Sequence, residues 1–308
     1  MRKKIILGTG VAGLTAGYFN KDSTIIGKEL MGQMNGDFSL GPRLLQFDSN
    51  LLDICIELFG PNNVVIKNIK IGYIIDSAIC DTLNQDFKLK YSEITRNTKK
   101  IKSSFLSGGK NQIAVIIINN NFDNSYTILL QKIIDILNDR KQIIIDDVDK
   151  ILLNKDTVVT DCEEYKYDTL YNTIPLNIFN KLTEPYSIFQ KDIFELGCKY
   201  FYKTNFDNVQ DIESSKEFKY LYSVDGLWTR KTYFSDDNYI VYETINKYSQ
   251  KEIDGNRIIE QKTIPIQIMK NINFKEYDNI FFIGRYAQWT HKIKINEIIK
   301  RILELKNE

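Results

Sequence analysis

The hydrophobic and polar positions at the start of the chain predict a strand, a tight turn, a helix and a second strand. Apolar residues at 5–7 run directly into a glycine-rich turn, and a second apolar run ends at 26. The turn has the spacing G-x-G-x-x-G, which lets the backbone approach a pyrophosphate closely. The helix N-terminus adds N–H groups and a positive dipole. The residues of this predicted dinucleotide-binding loop are Gly8, Thr9, Gly10, Val11, Ala12 and Gly13.

The middle of the chain changes from one periodicity to another. Apolar residues at helical spacing predict a helix over 127–140, and the run that follows predicts a strand over 142–145. Turn residues then separate three short predicted strands, at 150–154, 157–161 and 166–175. Aromatic and β-branched residues predict a separate antiparallel sheet, with strands at 199–204, 219–224, 230–235 and 239–244.

The chain ends with a predicted strand over 279–284 and a helix from about 292 to 305. Strands at both ends of the chain therefore flank a middle of different character. This order predicts an α/β protein with two domains. The first is a Rossmann-like nucleotide-binding domain with a parallel sheet and a β-hairpin or meander. The second is an α+β substrate domain with a mixed or antiparallel sheet, and it interrupts the first. We place the nucleotide-binding domain at 1–48, 108–175 and 265–308, and the substrate domain at 49–107 and 176–264.

Composition and charge narrow the classes of function. Lysine and arginine (41) balance aspartate and glutamate (40), so the net charge of +1 predicts neither a nucleic-acid partner nor a membrane surface. Four dispersed cysteines and one histidine predict no metal site. The apolar stretch before the glycines is too short for a signal peptide. We therefore expect a cytoplasmic protein that binds a small molecule, and the oligomeric state is left open.

Five stretches along the chain carry a resemblance. They are GTGVAGLTAGYF at 8–19, LMGQMNGDFSLGPRLLQFD at 30–48, the segment from 142 to 176 that ends in NTIPL, LYSVDGLWTRKTYF at 221–234, and NIFFIGRYAQWTHKIKINEIIKRI at 279–302. In this order they resemble the flavin-dependent amine oxidases and UDP-galactopyranose mutases. No stretch matches the second diphosphate-binding arginine segment of the mutases.

The resemblance implies FAD as the cofactor and assigns residues to it. The glycine loop would hold the ADP half, and the backbone of Val148 would meet adenine. Glu29 would replace a ribose-binding acid expected near Gly27, although a solvated carboxylate is the equal alternative. The remaining positions assigned to the flavin ring, the pyrophosphate or the cavity are Gly32, Gly41, Pro42, Arg43, Gly284, Arg285 and Trp289. For Arg43, a structural salt bridge is an equal alternative.

Two residues are candidates for the chemistry. Arg230 lies in an aromatic strand, where a cation needs an anion or a ring face, so an anionic substrate group is the sharper interpretation. His291 suits a proton shuttle because it titrates near neutrality, while a helix cap is the more common role of such a histidine.

Three functions remain open. The favoured one is an FAD-dependent, amine-oxidase-like oxidoreductase that transfers hydride from a small polar substrate to a non-covalent flavin. The substrate is anionic if Arg230 binds it. The alternative is a UDP-galactopyranose-mutase-like, flavin-dependent isomerase of a sugar nucleotide. The third is a non-catalytic nucleotide-binding protein, supported by the displaced ribose acid.

Overall fold

The computed structural model describes residues 3–32, 44–76, 78–80, 85–95, 112–183, 195–207, 209–224, 226–234, 238–268, 277–288 and 295–307. The helices are α1 Val11–Phe19, α2 Ser49–Phe59, α3 Gln85–Ile94, α4 Ser125–Asp139, α5 Leu176–Leu182, α6 Val209–Glu217 and α7 Ile295–Asn307. The strands are β1 Lys4–Leu7, β2 Ser23–Gly27, β3 Leu45–Gln46, β4 Val64–Ile75, β5 Ala78–Cys80, β6 Gln112–Ile118, β7 Ile143–Ile145, β8 Val148–Leu152, β9 Thr157–Thr160, β10 Glu164–Lys166, β11 Thr169–Asn172, β12 Glu195–Asn205, β13 Tyr220–Ser223, β14 Arg230–Phe234, β15 Tyr239–Thr244, β16 Glu252–Ile253, β17 Asn256–Ile268 and β18 Ile280–Phe282.

A five-stranded parallel sheet in the order β18-β11-β1-β2-β7 carries the glycine loop. Both faces of this sheet are covered, so apolar residues follow one another in its short strands instead of alternating with polar ones. Ile6 and Ile25 pack with α1, α4 and α7 on one face, whereas Leu7 and Ile26 pack with the β8-β9-β10 meander on the other. The structure thereby confirms the predicted Rossmann-like architecture, including its meander.

The second sheet is mixed and has ten strands, in the order β16-β17-β12-β15-β14-β13-β4-β6-β3, with β5 also paired to β4. Its aromatic strands β12 to β15 pair antiparallel, as predicted. They do not form a separate sheet, because β13 pairs parallel with residues 71–74 of β4. Residues 64–70 of the same 12-residue strand pair antiparallel with β6. One long strand therefore joins the two parts of the sheet.

The two faces of β13 to β15 differ in character. Tyr220 and Tyr222 lie on the face that α3 covers with Phe87 and Tyr91, and we call it the α3 face. The opposite face, under α6, is the α6 face. Strand alternation fixes this division, because successive side chains along a strand point to opposite sides.

A buried polar network joins α6 to its face of the sheet. Asp211 of α6 is 3% exposed and accepts hydrogen bonds through both carboxylate oxygens. Its Oδ1 accepts from Lys231 Nζ at 2.7 Å and from Tyr233 OH at 2.9 Å. Its Oδ2 accepts from Tyr242 OH at 3.1 Å and from Asn256 Nδ2 at 2.6 Å. Four donors on the sheet thus surround one carboxylate.

Removal of this carboxylate should destabilise the protein strongly. Asp211→Ala leaves two buried tyrosine hydroxyls without this acceptor and leaves the buried Lys231 with Asp254 as its remaining carboxylate partner among the described residues, so we expect the free energy of unfolding to fall by about 3–5 kcal/mol. Glu213→Ala, an exposed carboxylate on the same helix, should change it by less than about 0.5 kcal/mol. Urea unfolding of both variants measures the difference, and equal effects would contradict a structural role of the network.

Candidate cofactor loop and substrate face

The glycine loop has two positions that admit only glycine. Gly8 follows β1 with a φ of 103°, a conformation that L side chains rarely adopt. A Cβ built on Gly13 would lie 1.7 Å from the carbonyl oxygen of Gly8. Helix α1 therefore passes directly against the loop backbone, with no side chain between them.

Gly10 is different, because protein packing does not require a glycine there. It has the extended conformation that any residue adopts, with φ −77° and ψ −177°. No described atom lies within 4 Å of a Cβ built on it. Among the described residues, no side chain caps the N-terminus of α1, which begins with Val11 and Ala12. Open space above Gly10 and an uncapped helix start form the surface that a pyrophosphate fits.

The end of β18 closes this surface from one side. Gly284 has a φ of 95°, and a Cβ there would lie 2.7 Å from Cβ of Ala12. Arg285 follows on an exposed turn near Tyr126. Burial raises the pKa of Tyr126, and the positive charge of Arg285 acts in the opposite direction. Gly284 therefore lies against the first turn of α1, and the binding roles of Gly284 and Arg285 stay predictions.

The adenosine end of the predicted site lies at the carboxyl ends of β2 and β7. Gly27 ends β2, and its carbonyl accepts the N–H of Asp146, the residue after β7, at 3.1 Å. Val148 begins β8 directly beyond this point and is half-buried. Glu29 is exposed, and a Cβ built on Gly32 would lie 3.7 Å from Cα of Gly10. These predicted residues thus share one edge of the sheet with the loop.

Five predicted site residues lie outside the described residues: Gly41, Pro42, Arg43, Trp289 and His291. Their roles stay predictions. Leu44, directly after Arg43, is buried in the same core cluster as Tyr220 and Tyr222. Leu44 itself therefore packs on the α3 face of the mixed sheet.

The α3 face carries a transverse row of chemically active side chains. The strand register aligns Tyr73 with Tyr222, Tyr222 with Arg230, and Arg230 with Glu243. The rings of Tyr73 and Tyr222 are stacked, with centroids 6.0 Å apart. Side chains at paired positions are neighbours on one face of a sheet, so the row forms a continuous surface.

Arg230 has partners of its own in this row. A nitrogen of its guanidinium lies 2.7 Å from Glu243 Oε2, and its central carbon lies 5.6 Å from the centre of the Tyr220 ring. Burial is the largest single effect and lowers the pKa of Arg230, but the carboxylate of Glu243 and the neighbouring tyrosines together outweigh burial and raise the pKa of the guanidinium. Burial also raises the pKa of Tyr222, so that the tyrosine stays neutral beside the arginine.

The charges and hydrogen bonds in the row are incompletely matched. Glu243 also forms an ion pair with Lys199, so one carboxylate faces two cations among the described residues. Two buried polar atoms, Nε of Arg230 and the hydroxyl of Tyr73, have no hydrogen-bond partner there. Buried polar groups are normally paired, so unpaired ones require an explanation.

Several residues of these sites were missed from the sequence. Thr173 Oγ1 donates to the carbonyl of Leu7 at 2.6 Å and braces the glycine loop. Thr173 lies in the NTIPL stretch at 172–176, which already carried the resemblance, so the sequence could have indicated its role. Glu243, Lys199 and Tyr73 carried no sequence signal, because strand pairing alone brings them to Arg230.

Three solved structures share the fold of nearly the whole chain. Reduced UDP-galactopyranose mutase gives a TM-score of 0.66 at 10% identity, covering 100% of this chain and 97% of that chain. A CLA-producing fatty acid isomerase from P. acnes gives 0.65 at 11% identity, covering 99% and 98%. Putrescine oxidase bound to putrescine gives 0.62 at 9% identity, covering 100% and 99%. No protein-family model and no curated protein matches the chain.

These likenesses confirm, at the level of the fold, the resemblance to flavin-dependent amine oxidases and UDP-galactopyranose mutases. Within the described ranges, no helix is long and apolar enough to cross a membrane. The same part of the chain holds no group of three or more histidine, cysteine, aspartate or glutamate side chains able to bind a metal ion. The chain therefore has the fold of these structures.

The two kinds of glycine in the loop should respond differently to a methyl group. Gly10→Ala should leave the free energy of unfolding unchanged or raised by up to about 1 kcal/mol, since its conformation suits alanine. It should weaken binding of FAD by at least about tenfold, because the methyl group enters the space for the pyrophosphate. Gly13→Ala should lower the free energy of unfolding by about 3 kcal/mol through its clash. Thermal unfolding measures the stability of each variant, and titration with FAD measures its affinity. Normal FAD binding by Gly10→Ala would contradict the placement of the pyrophosphate above Gly10.

The unpaired hydroxyl of Tyr73 should make stability fall at alkaline pH. Burial raises its pKa to about 12, from 10.0. Above pH 10 the unfolded chain loses this proton while the native state keeps it, so unfolding becomes easier by up to about 1.4 kcal/mol per pH unit. In Tyr73→Phe, the free energy of unfolding should fall less steeply between pH 10 and 12 than in wild type. At pH 7 the variant should be more stable by about 1 kcal/mol, because no polar group is left buried without a partner. Urea unfolding across this range measures it, and a destabilised variant would contradict the unpaired state.

Proposed function

We propose that the chain is a cytoplasmic flavin-dependent enzyme that binds FAD non-covalently at the glycine loop and acts on a small molecule. The open space above Gly10, at the uncapped start of α1, carries the proposal. The fold shared with an oxidase and a mutase supports it. An uncapped helix N-terminus directly after a glycine-rich turn is the arrangement that binds a phosphate group.

The chain's own residues would bind and orient the cofactor. The N–H groups at the start of α1 would donate to the pyrophosphate, and Arg285 would add a charge-assisted bond from the adjoining turn. The backbone of Val148 would meet adenine. The segment holding Gly41, Pro42 and Arg43 would pass beside the flavin. Bound FAD would supply the hydride acceptor, and the protein would supply position and electrostatics.

The substrate proposed for this enzyme carries an anionic group. Among the described residues, Arg230 and Lys199 share the carboxylate of Glu243, so this group of three side chains carries one positive charge in excess. In the same part of the chain, Nε of Arg230 is a buried donor with no acceptor. A carboxylate or phosphate would meet both needs, whereas a diamine would be repelled. We favour oxidation of an amine-type C–H or N–H bond in such a molecule, with His291 as a candidate proton shuttle.

A mutase-type rearrangement of a sugar nucleotide is the second candidate. The same excess charge at Arg230 suits a diphosphate, and the mutase structure shares the fold over the full chain. The lack of a match for the second arginine segment weighs against it. Oxygen uptake with anionic amines, compared with sugar-nucleotide isomerisation under reducing conditions, separates the two reactions.

Absorbance spectroscopy tests the cofactor. The purified chain should show flavin bands in the visible range, and denaturation should release free FAD because no covalent link holds it. Chromatography of the released material identifies the nucleotide. A colourless protein that takes up no added FAD would contradict the proposal and favour a different nucleotide or a non-catalytic role.

Titration of the flavin-loaded protein with small ions tests the charge of the substrate. Acetate or inorganic phosphate should perturb the flavin bands, and putrescine should not. Arg230→Gln should weaken the anion response by about tenfold or more, since a charge-assisted pair is lost, while Glu243 keeps Lys199 as its partner. Arg257→Gln, an exposed arginine of the same sheet, serves as the control. An unchanged response in Arg230→Gln would refute the anionic subsite without affecting the cofactor.

A further inference from the structure

The carboxyl end of β2 has no room for the acid that the fold normally places there. In Rossmann-type sheets, an acidic residue about 20 positions after the glycine motif accepts hydrogen bonds from the ribose hydroxyls. Here β2 ends in Gly27. A Cβ on Gly27 would lie 2.5 Å from Oγ1 of Thr9 and 2.8 Å from its backbone nitrogen. Thr9 is 3% exposed and fills this space.

Thr9 also binds the segment that follows β2. Its hydroxyl donates to the carbonyl oxygen of Glu29. Its own carbonyl accepts the N–H of Met31 at 2.9 Å. Gly32 then reaches the glycine loop, with a φ of 52° and its built Cβ 3.7 Å from Cα of Gly10. Residues 29–32 thus lie along the loop, and the exposed Glu29 begins this run.

The other carboxylates at this edge already have partners within the protein. Asp147 Oδ2 lies 2.6 Å from Lys28 Nζ. Hydrogen bonding from Thr160 lowers the pKa of Asp146, and its Oδ1 accepts the N–H of Asp147 at 2.9 Å. The side chains of Asp146 and Asp147 are therefore engaged by the hairpin and by Lys28, whereas Thr9 holds the backbone of Glu29 beside the glycine loop.

We propose that Thr9 transfers the ribose-binding role from the end of β2 to Glu29. Thr9 is the positioning residue, because it excludes an acid at position 27 and anchors the carbonyl of Glu29. The Glu29 carboxylate then accepts the ribose 2′- and 3′-hydroxyls of the bound adenosine. This inference rests on the proposed nucleotide site at the glycine loop.

Calorimetric titration of the flavin-free full chain with ADP and 2′,3′-dideoxy-ADP tests the role of Glu29. Wild type should bind ADP about tenfold more tightly than the dideoxy analogue, because only ADP donates to the carboxylate. Glu29→Gln should reduce this ratio to about twofold or less. Asp147→Asn, which removes the same charge at the same edge, should leave it unchanged.

Variants of Thr9 test its positioning role with the same ratio. Thr9→Val keeps the shape but removes the hydroxyl donor, so the preference for ADP should fall towards that of Glu29→Gln. Thr9→Ser keeps the donor and should retain the preference. A merely structural role would change thermal stability and leave the ratio intact, so the melting temperature of each variant is measured alongside.

The outcomes are separable. Full discrimination in Glu29→Gln, or its loss in Asp147→Asn, would overturn the assignment to Glu29. Retained discrimination in a folded Thr9→Val would overturn the role of Thr9. If wild type binds ADP and FAD without distinguishing the dideoxy analogue, the inference fails and the proposed function stands. If wild type binds none of these nucleotides, both fail.

Discussion

The contact between α1 and the end of β1 is the constraint on which the nucleotide end of the molecule depends. A side chain at Gly13 would overlap the carbonyl of Gly8, so helix and loop meet backbone to backbone. The N–H of Gly8 in turn donates to the carbonyl of Ile26 at 2.7 Å, which ties the loop to β2. Gly284 brings β18 against Ala12 in the same way. Three strand ends thereby converge on one helix start, and its dipole faces the space they leave.

The mixed sheet shows a different constraint on each face. On the α6 face, the two oxygens of Asp211 accept four hydrogen bonds, so the network is satisfied and rigid. On the α3 face, Arg230 keeps an unpaired nitrogen and shares Glu243 with Lys199. One sheet therefore carries a closed polar network on one side and an open one on the other. A closed network stabilises a fold, whereas an open one has capacity left for a ligand.

The sequence predicted the elements whose signal is local. The loop, α4, β8, β9, β11 and β18 were found, because glycine spacing and periodicity act within a short segment, whereas the short meander strand β10 was not predicted. We did not predict that β4 joins the two parts of the mixed sheet. The parallel pairing of β4 with β13 depends on residues far apart in the chain. The partners of Arg230 were missed for the same reason. The glycine loop could therefore be predicted from the sequence, whereas the charged partners of Arg230 on the α3 face could not.

The adenosine end shows how a missing motif residue can be misleading. A small residue at the end of β2 followed by a basic one is also the pattern that accommodates a 2′-phosphate, and Gly27-Lys28 matches it. The surrounding charges decide against that interpretation. Lys28 is already paired with Asp147, and Glu29 and Asp146 add two further carboxylates at the same edge. This edge is acidic as a whole, so it favours hydroxyl donors over a phosphate. The proposed nucleotide would therefore carry an unmodified ribose, as FAD does.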